Sequence, residues 1–155
     1  MFAIEKKLKH ILESLMIDFS SQNDFVFEDE TKASQWLVAI AELEEFEIGE
    51  LGYVFCSDSF LLDINIQYLD HDTYTDIVTF DYTEGRVLQG EMYISTDRIA
   101  ENAREFGVSF NIELRRVMAH GLLHMFGYGD KTEADIKVMR EKEDSCLELW
   151  YAKSY

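Results

Sequence analysis

Apolar residues recur at helical spacing from the start of the chain. Ile4, Leu8, Ile11, Leu12 and Leu15 form one stripe of a helix over residues 1–16, packed on the domain or on a partner. Its lysines alternate with glutamates and do not suit an anionic membrane surface. Residues 17–19 and 25–28 then alternate apolar with polar side chains, which predicts two half-buried strands. Thr31 is placed to cap a helix whose buried stripe is Trp36, Leu37, Ile40 and Leu43, ending near Glu45. Residues 47–55 predict a strand, with Ile48, Leu51, Tyr53 and Phe55 as its apolar members. Ser57 or Asp58 can cap a short helix carrying Phe60, Leu61, Ile64 and Tyr68. After a polar loop over 69–76, residues 77–82 are β-branched and aromatic, and 86–95 follow a turn at Glu84 and Gly85, as a hairpin would. A helix over 97–106 is stopped by Gly107, and a second runs over 111–126 with Ile112, Leu114, Val117 and Met118 among its apolar positions. Thr132 opens the last helix, helped by Glu133 and Asp135, with Ile136, Met139 and Leu147 on its way to Trp150 and Tyr151.

Strands grouped mid-chain among helices predict an α+β fold. The expectation is a single domain over 1–155, with a mixed sheet of four or five strands. A central helix over 111–126 is apolar on several sides, with about five helices around it. Residues 1–16 read as a helical extension, and Met16 is a second candidate start. No linker, repeat or proline divides the chain, and 155 residues suffice to bury a core. The net charge of −17 argues against a broad basic face, so DNA is not expected. It does not exclude RNA, because a bound cation and local arginines can offset it in one groove. The two cysteines, Cys56 and Cys146, suggest no disulfide framework and hence a reducing compartment. No apolar run reaches the roughly 18 residues a membrane span needs. Charges at Glu5, Lys6, Lys7 and Lys9 break up any signal-peptide core. A cytoplasmic location is the expectation.

Chemistry concentrates in residues 120–130. His120 and His124 stand four apart in the helical run, which puts both imidazoles on one face. Gly127 and Gly129 mark a stop and a turn, and Asp130 follows, where the returning chain can bring its carboxylate towards the rings. A lone histidine on an apolar helical face is more often a core residue. Two at this spacing, followed by glycine and aspartate, are hard to explain by packing. His120, His124 and Asp130 therefore form a candidate three-ligand site for one divalent metal ion, with positions left for water or substrate. Such a cation acidifies water and polarises phosphoryl or carbonyl oxygens. Zinc proteases place their glutamate base directly after the first histidine, and here that position is Gly121. Phosphodiester hydrolysis depends less on one such residue, and an aspartate ligand suggests tolerance for manganese or iron besides zinc.

The residues around this motif resemble the YbeY family of bacterial metal-dependent endoribonucleases and rRNA maturation factors. His120-Gly121-Leu122-Leu123-His124 with Gly127-Tyr128 matches its histidine motif. Asn65, Tyr68, Asp72, Thr75, Asp76, Thr79 and Phe80 match a second stretch, and residues 90–95 resemble a third. The resemblance runs from about residue 17 onward. It implies cleavage of single-stranded RNA in small-subunit ribosomal RNA maturation and ribosome quality control, with zinc as the usual metal. The implied partners are single-stranded ribosomal RNA and the small ribosomal subunit, with no membrane. The family's third metal histidine falls on Asp130, and an arginine associated with its activity falls on Leu69. A hydrolase of another substrate class, and a ribosome-assembly protein with a structural metal, are the alternatives.

The remaining candidates are weaker. Residues 72–76 fit either a site mouth or a capping loop. His71 and His10 read as surface residues, Cys146 as packing, and Arg115-Arg116 as a solvated pair, the alternative being that it holds phosphate. The general base is not identified.

Overall fold

The structure, a computed structural model, describes residues 2–69 and 74–152. In chain order these form α1 (Phe2–Leu15), β1 (Ile17–Ser21), α2 (Glu30–Leu43), β2 (Glu47–Cys56) and α3 (Asp58–Leu69). Then follow β3 (Ile77–Asp81), β4 (Val87–Ser95), α4 (Thr96–Phe106), α5 (Phe110–Met125) and α6 (Glu133–Ala152). One four-stranded sheet has the order β1-β2-β4-β3. β1, β2 and β4 run parallel, and β3 joins β4 antiparallel as the hairpin the sequence suggested. The fold is α+β with a mixed sheet, as expected.

The pleat sorts side chains between the two faces. In register, Leu51, Tyr53 and Phe55 of β2 align with Gly90, Met92 and Ile94 of β4. That face meets α2 and α5 in the main core, where Trp36, Leu37, Leu114, Met118 and Leu122 are fully buried or nearly so. The other face carries a smaller cluster of Cys56, Leu61, Ile64 and Val78 beneath α3. α5 is buried along most of its length, and Tyr53 donates its hydroxyl to the Met118 carbonyl at 3.0 Å. The expected central helix is therefore pinned to the middle of the sheet by its own backbone. Cys146 is buried in the main core, and its carbonyl accepts a hydrogen bond from Trp36 Nε1 at 2.8 Å.

Helix ends follow local chemistry. Ser95 and Ser109 cap α4 and α5 by accepting from Arg98 N and Ile112 N, both at 3.1 Å. Thr132 accepts from Asp135 N at 3.0 Å ahead of α6, and Gly107 ends α4 in the left-handed region at φ 68°. Three expectations are corrected. Residues 25–28 are not a strand: Phe25 and Phe27 drive their rings against Phe55 at 5.1 and 5.0 Å, so the alternation records ring burial without ladder pairing. Thr31 is not the cap of α2, which begins at Glu30 after Asp29, itself at φ 62°. Arg115 and Arg116 are not a solvated pair. Arg115 is buried with its guanidinium 4.3 Å from the Trp150 ring, and Arg116 is held among Glu113, Glu143 and Asp144.

Gly121 packs α5 directly against Met92 of β4 and Ile77 of β3. A Cβ there would overlap Met92 Sδ and lie 2.7 Å from Ile77 Cδ1. A Gly121→Ala protein should lose roughly 1–3 kcal/mol of stability through overpacking. Its thermal midpoint should fall by about 2–4 °C per kcal/mol lost. Calorimetry checks this, and an unchanged midpoint would show that the two flexible side chains swing aside at no cost.

Candidate metal centre

The last two turns of α5 place His120 and His124 side by side, their rings 4.5 Å apart between centroids. Met125 ends the helix, and Gly127 at φ 109° lets the chain reverse. Two backbone bonds hold the reversal, from Gly127 N to the His124 carbonyl at 2.9 Å and from Tyr128 N to the Leu123 carbonyl at 3.1 Å. The Tyr128 hydroxyl then ties the turn to α2 by donating to Glu44 at 2.8 Å. Asp130 is thereby carried back over the rings.

Three potential ligand atoms converge. His120 Nε2 lies 2.9 Å from His124 Nε2, and Asp130 Oδ2 lies 3.2 Å from His124 Nε2 and 3.6 Å from His120 Nε2. The far side of each ring decides which nitrogen carries its proton. His124 Nδ1 is 2.8 Å from the Tyr128 carbonyl, which can only accept, so Nδ1 bears the hydrogen. His120 Nδ1 is 2.7 Å from the buried Glu143 carboxylate and does the same. Two imidazole lone pairs and a carboxylate oxygen thus face one another at near-contact distance, an arrangement that repels unless a cation or shared proton lies between. Zinc holds such ligands at about 2.0–2.2 Å, so neighbouring donors in a tetrahedral site stand roughly 3.3 Å apart. The donor set and its spacing fit one divalent cation. Carboxylate and carbonyl partners on the outer nitrogens are the usual support for histidine ligands. The group of His120, His124 and Asp130 can therefore hold a metal ion.

The surrounding pocket, about 460 Å³, is walled by Asn65 and Leu69 of α3, Tyr74, Thr75 and Asp76, and residues 77–79 of β3. The described part of the loop over 72–76 thus does reach the site; His71, Asp72 and Thr73 lie outside the described residues. Burial pushes the Asp76 carboxyl above the usual carboxylate range, against the opposing pull of His120. Burial alone would lower the His120 imidazole, but the Glu143 hydrogen bond and the charges of Glu143, Asp76 and Asp130 outweigh it and raise the ring above its ordinary value. Glu143 and the role of Asp76 were not anticipated. The signal for Glu143 is a carboxylate within the stripe Met139, Glu143, Cys146 and Trp150 of α6, all four buried. Among the described lining residues there is no lysine or arginine, and Leu69 supplies only a half-exposed aliphatic wall. Position 121, where a protease would carry its base, faces Met92 and Ile77 inside the sheet. His10 is no part of this site and pairs with Glu42 at 2.7 Å on α2.

Two histidines and one carboxylate that could hold a metal ion, with open space beside them on a helix laid across a mixed sheet, form an arrangement that metal-dependent hydrolases can use. The sequence model of a family described as Endoribonuclease YbeY matches residues 16–151. The chain belongs to this family. An Endoribonuclease YbeY of Flavobacterium psychrophilum is 47% identical over 138 residues, 89% of this chain and 99% of that one. Its counterpart in Flavobacterium johnsoniae is 44% identical over the same shares. A Thermotoga maritima protein solved in solution superposes with a TM-score of 0.64 at 27% identity, over 88% of this chain and 89% of its own. The helix α1 precedes the matched span. No described helix is long and apolar enough to cross a membrane.

Proposed function

We propose that this protein is a metal-dependent endoribonuclease in which His120, His124 and Asp130 hold one divalent ion. The observation that carries the reading is the convergence of three lone-pair donors within a family whose curated members bear that activity in their names. Zinc is the metal the two imidazoles favour, with the aspartate leaving manganese or iron as substitutes. When bound, the cation supplies charge that stabilises the phosphoryl oxygens and lowers the pKa of water at its open positions. The chain's own groups do the rest. Glu143 and the Tyr128 carbonyl hold the two rings in the tautomer that leaves Nε2 facing the pocket. To Asp76, a carboxylate that lines the pocket, we assign the proton of the attacking hydroxyl or water. Leu69 and Ile77 keep one wall apolar.

The substrate we assign is single-stranded RNA of the small ribosomal subunit, processed in the cytoplasm during ribosome maturation and quality control. This setting rests on the matched motifs at residues 65–80, 90–95 and 120–128. The test is cleavage of single-stranded RNA by untagged protein. A chelator should abolish cleavage, and stoichiometric zinc or manganese should restore most of it. Chelator-insensitive cleavage would mean that a contaminating nuclease had been measured.

A further inference from the structure

The opposite face of the sheet carries a second concavity, of about 470 Å³, that the metal centre does not use. Five rings line it: Phe60 and Tyr68 of α3, Phe80 of β3, Tyr82 just beyond, and Tyr93 of β4. They pack on one another, Tyr68 and Tyr93 each standing 5.8 Å from Phe80 nearly edge-on. Yet Tyr68 is 66% and Tyr82 65% exposed, so much aromatic surface is left facing solvent. Asp63 and Glu91 stand among the rings, and among the described lining residues there is no cation. The Tyr93 hydroxyl donates to Glu91 at 2.9 Å, which fixes that carboxylate and leaves its second oxygen as an acceptor. The groove and the metal pocket flank the edge strand β3 from opposite sides. Tyr68 lines one and Leu69 the other, as do Phe80 and Thr79 on the edge strand β3.

Rings without cations cannot grip a phosphate, but they suit the face of a base, and carboxylates suit its N–H edge. We propose that this groove is a nucleobase subsite. One unpaired base of the RNA strand that crosses β3 from the metal centre stacks on the exposed rings of Tyr68 and Tyr82, with its exocyclic amino group donating to Glu91 or Asp63. The identity of the occupant rests on the endoribonuclease reading. Uracil is disfavoured because it has no exocyclic amino group, and its one N3–H is flanked by two carbonyl oxygens that a carboxylate repels.

Oligo(C) and oligo(U), which differ in the amino or oxo group at C4 and in the hydrogen on N3, decide the matter by fluorescence anisotropy. Wild-type protein should bind oligo(C) more tightly than oligo(U), and Glu91→Ala should erase the difference. Tyr68→Ala should weaken oligo(C) binding by roughly 5- to 100-fold. Tyr151→Ala, which removes an exposed ring from α6, should not. Tyr82→Ala provides a second reading should Tyr68→Ala fail to fold by circular dichroism. If the Tyr68 and Tyr82 variants bind and cleave like wild type, the subsite is overturned and the nuclease stands. If binding depends on Tyr68 but no metal yields cleavage, the nuclease falls and the subsite stands. Wild-type protein that binds neither oligomer overturns both.

Discussion

A His124→Ala protein is expected to fold, to purify without stoichiometric metal, and to cleave RNA more slowly by on the order of 10³-fold. His124 Nε2 is central to the centre, 2.9 Å from one partner ligand and 3.2 Å from the other. Alanine leaves only His120 and an exposed aspartate at 3.6 Å, a pair too few to hold a cation firmly. The fold should survive, because His124 is only part-buried and α5 is anchored elsewhere, by Tyr53 on the Met118 carbonyl and by the buried stripe through Leu114, Met118 and Leu122. Elemental analysis beside circular dichroism separates the two effects. A variant that keeps one metal per chain, or full cleavage, would show that the ion sits elsewhere.

The same site shows where sequence was a sufficient guide. Helical spacing alone put His120 and His124 on one face, and glycine chemistry alone predicted the reversal that returns Asp130. Both are local consequences of backbone geometry, and both are found. The strand over 47–55 was legible because its apolar side chains alternate towards a covered face, and that over 77–82 because its residues are β-branched and aromatic. Phe25 and Phe27 mislead for the same reason: alternate burial looks like a strand, whether or not a neighbour offers its backbone. Non-local partners were not legible. Nothing near Arg115 says that Trp150 will lie under its guanidinium, and nothing near His120 says that a carboxylate 23 residues later will meet its outer nitrogen. Such pairs are set by how α5 and α6 cross, which no local pattern encodes. Glu143 does leave one trace, since a charge in the buried stripe of an amphipathic helix has to be met by a partner.

That partner makes Glu143 the second decisive position, as a positioning residue for His120, the proposed metal ligand. Glu143→Ala should weaken metal binding by about 10- to 100-fold, the usual cost of removing a carboxylate behind a histidine ligand. Glu143→Gln should fall between alanine and wild type, because an amide oxygen can still accept from His120 Nδ1 but carries no charge to raise the ring's basicity. The loss should not come from unfolding. Arg116 keeps Glu113 at 3.4 Å and Asp144 at 3.3 Å when Glu143 is gone, so no buried cation is orphaned. Chelator competition measures the affinity directly, with thermal melts recorded beside it. Graded affinity in the order Glu, Gln, Ala with similar melts is the signature of ring orientation. Equal affinity in all three would show that Gly127 and the Tyr128 carbonyl suffice to hold the centre, and that Glu143 serves only to neutralise the arginines of α5 and α6.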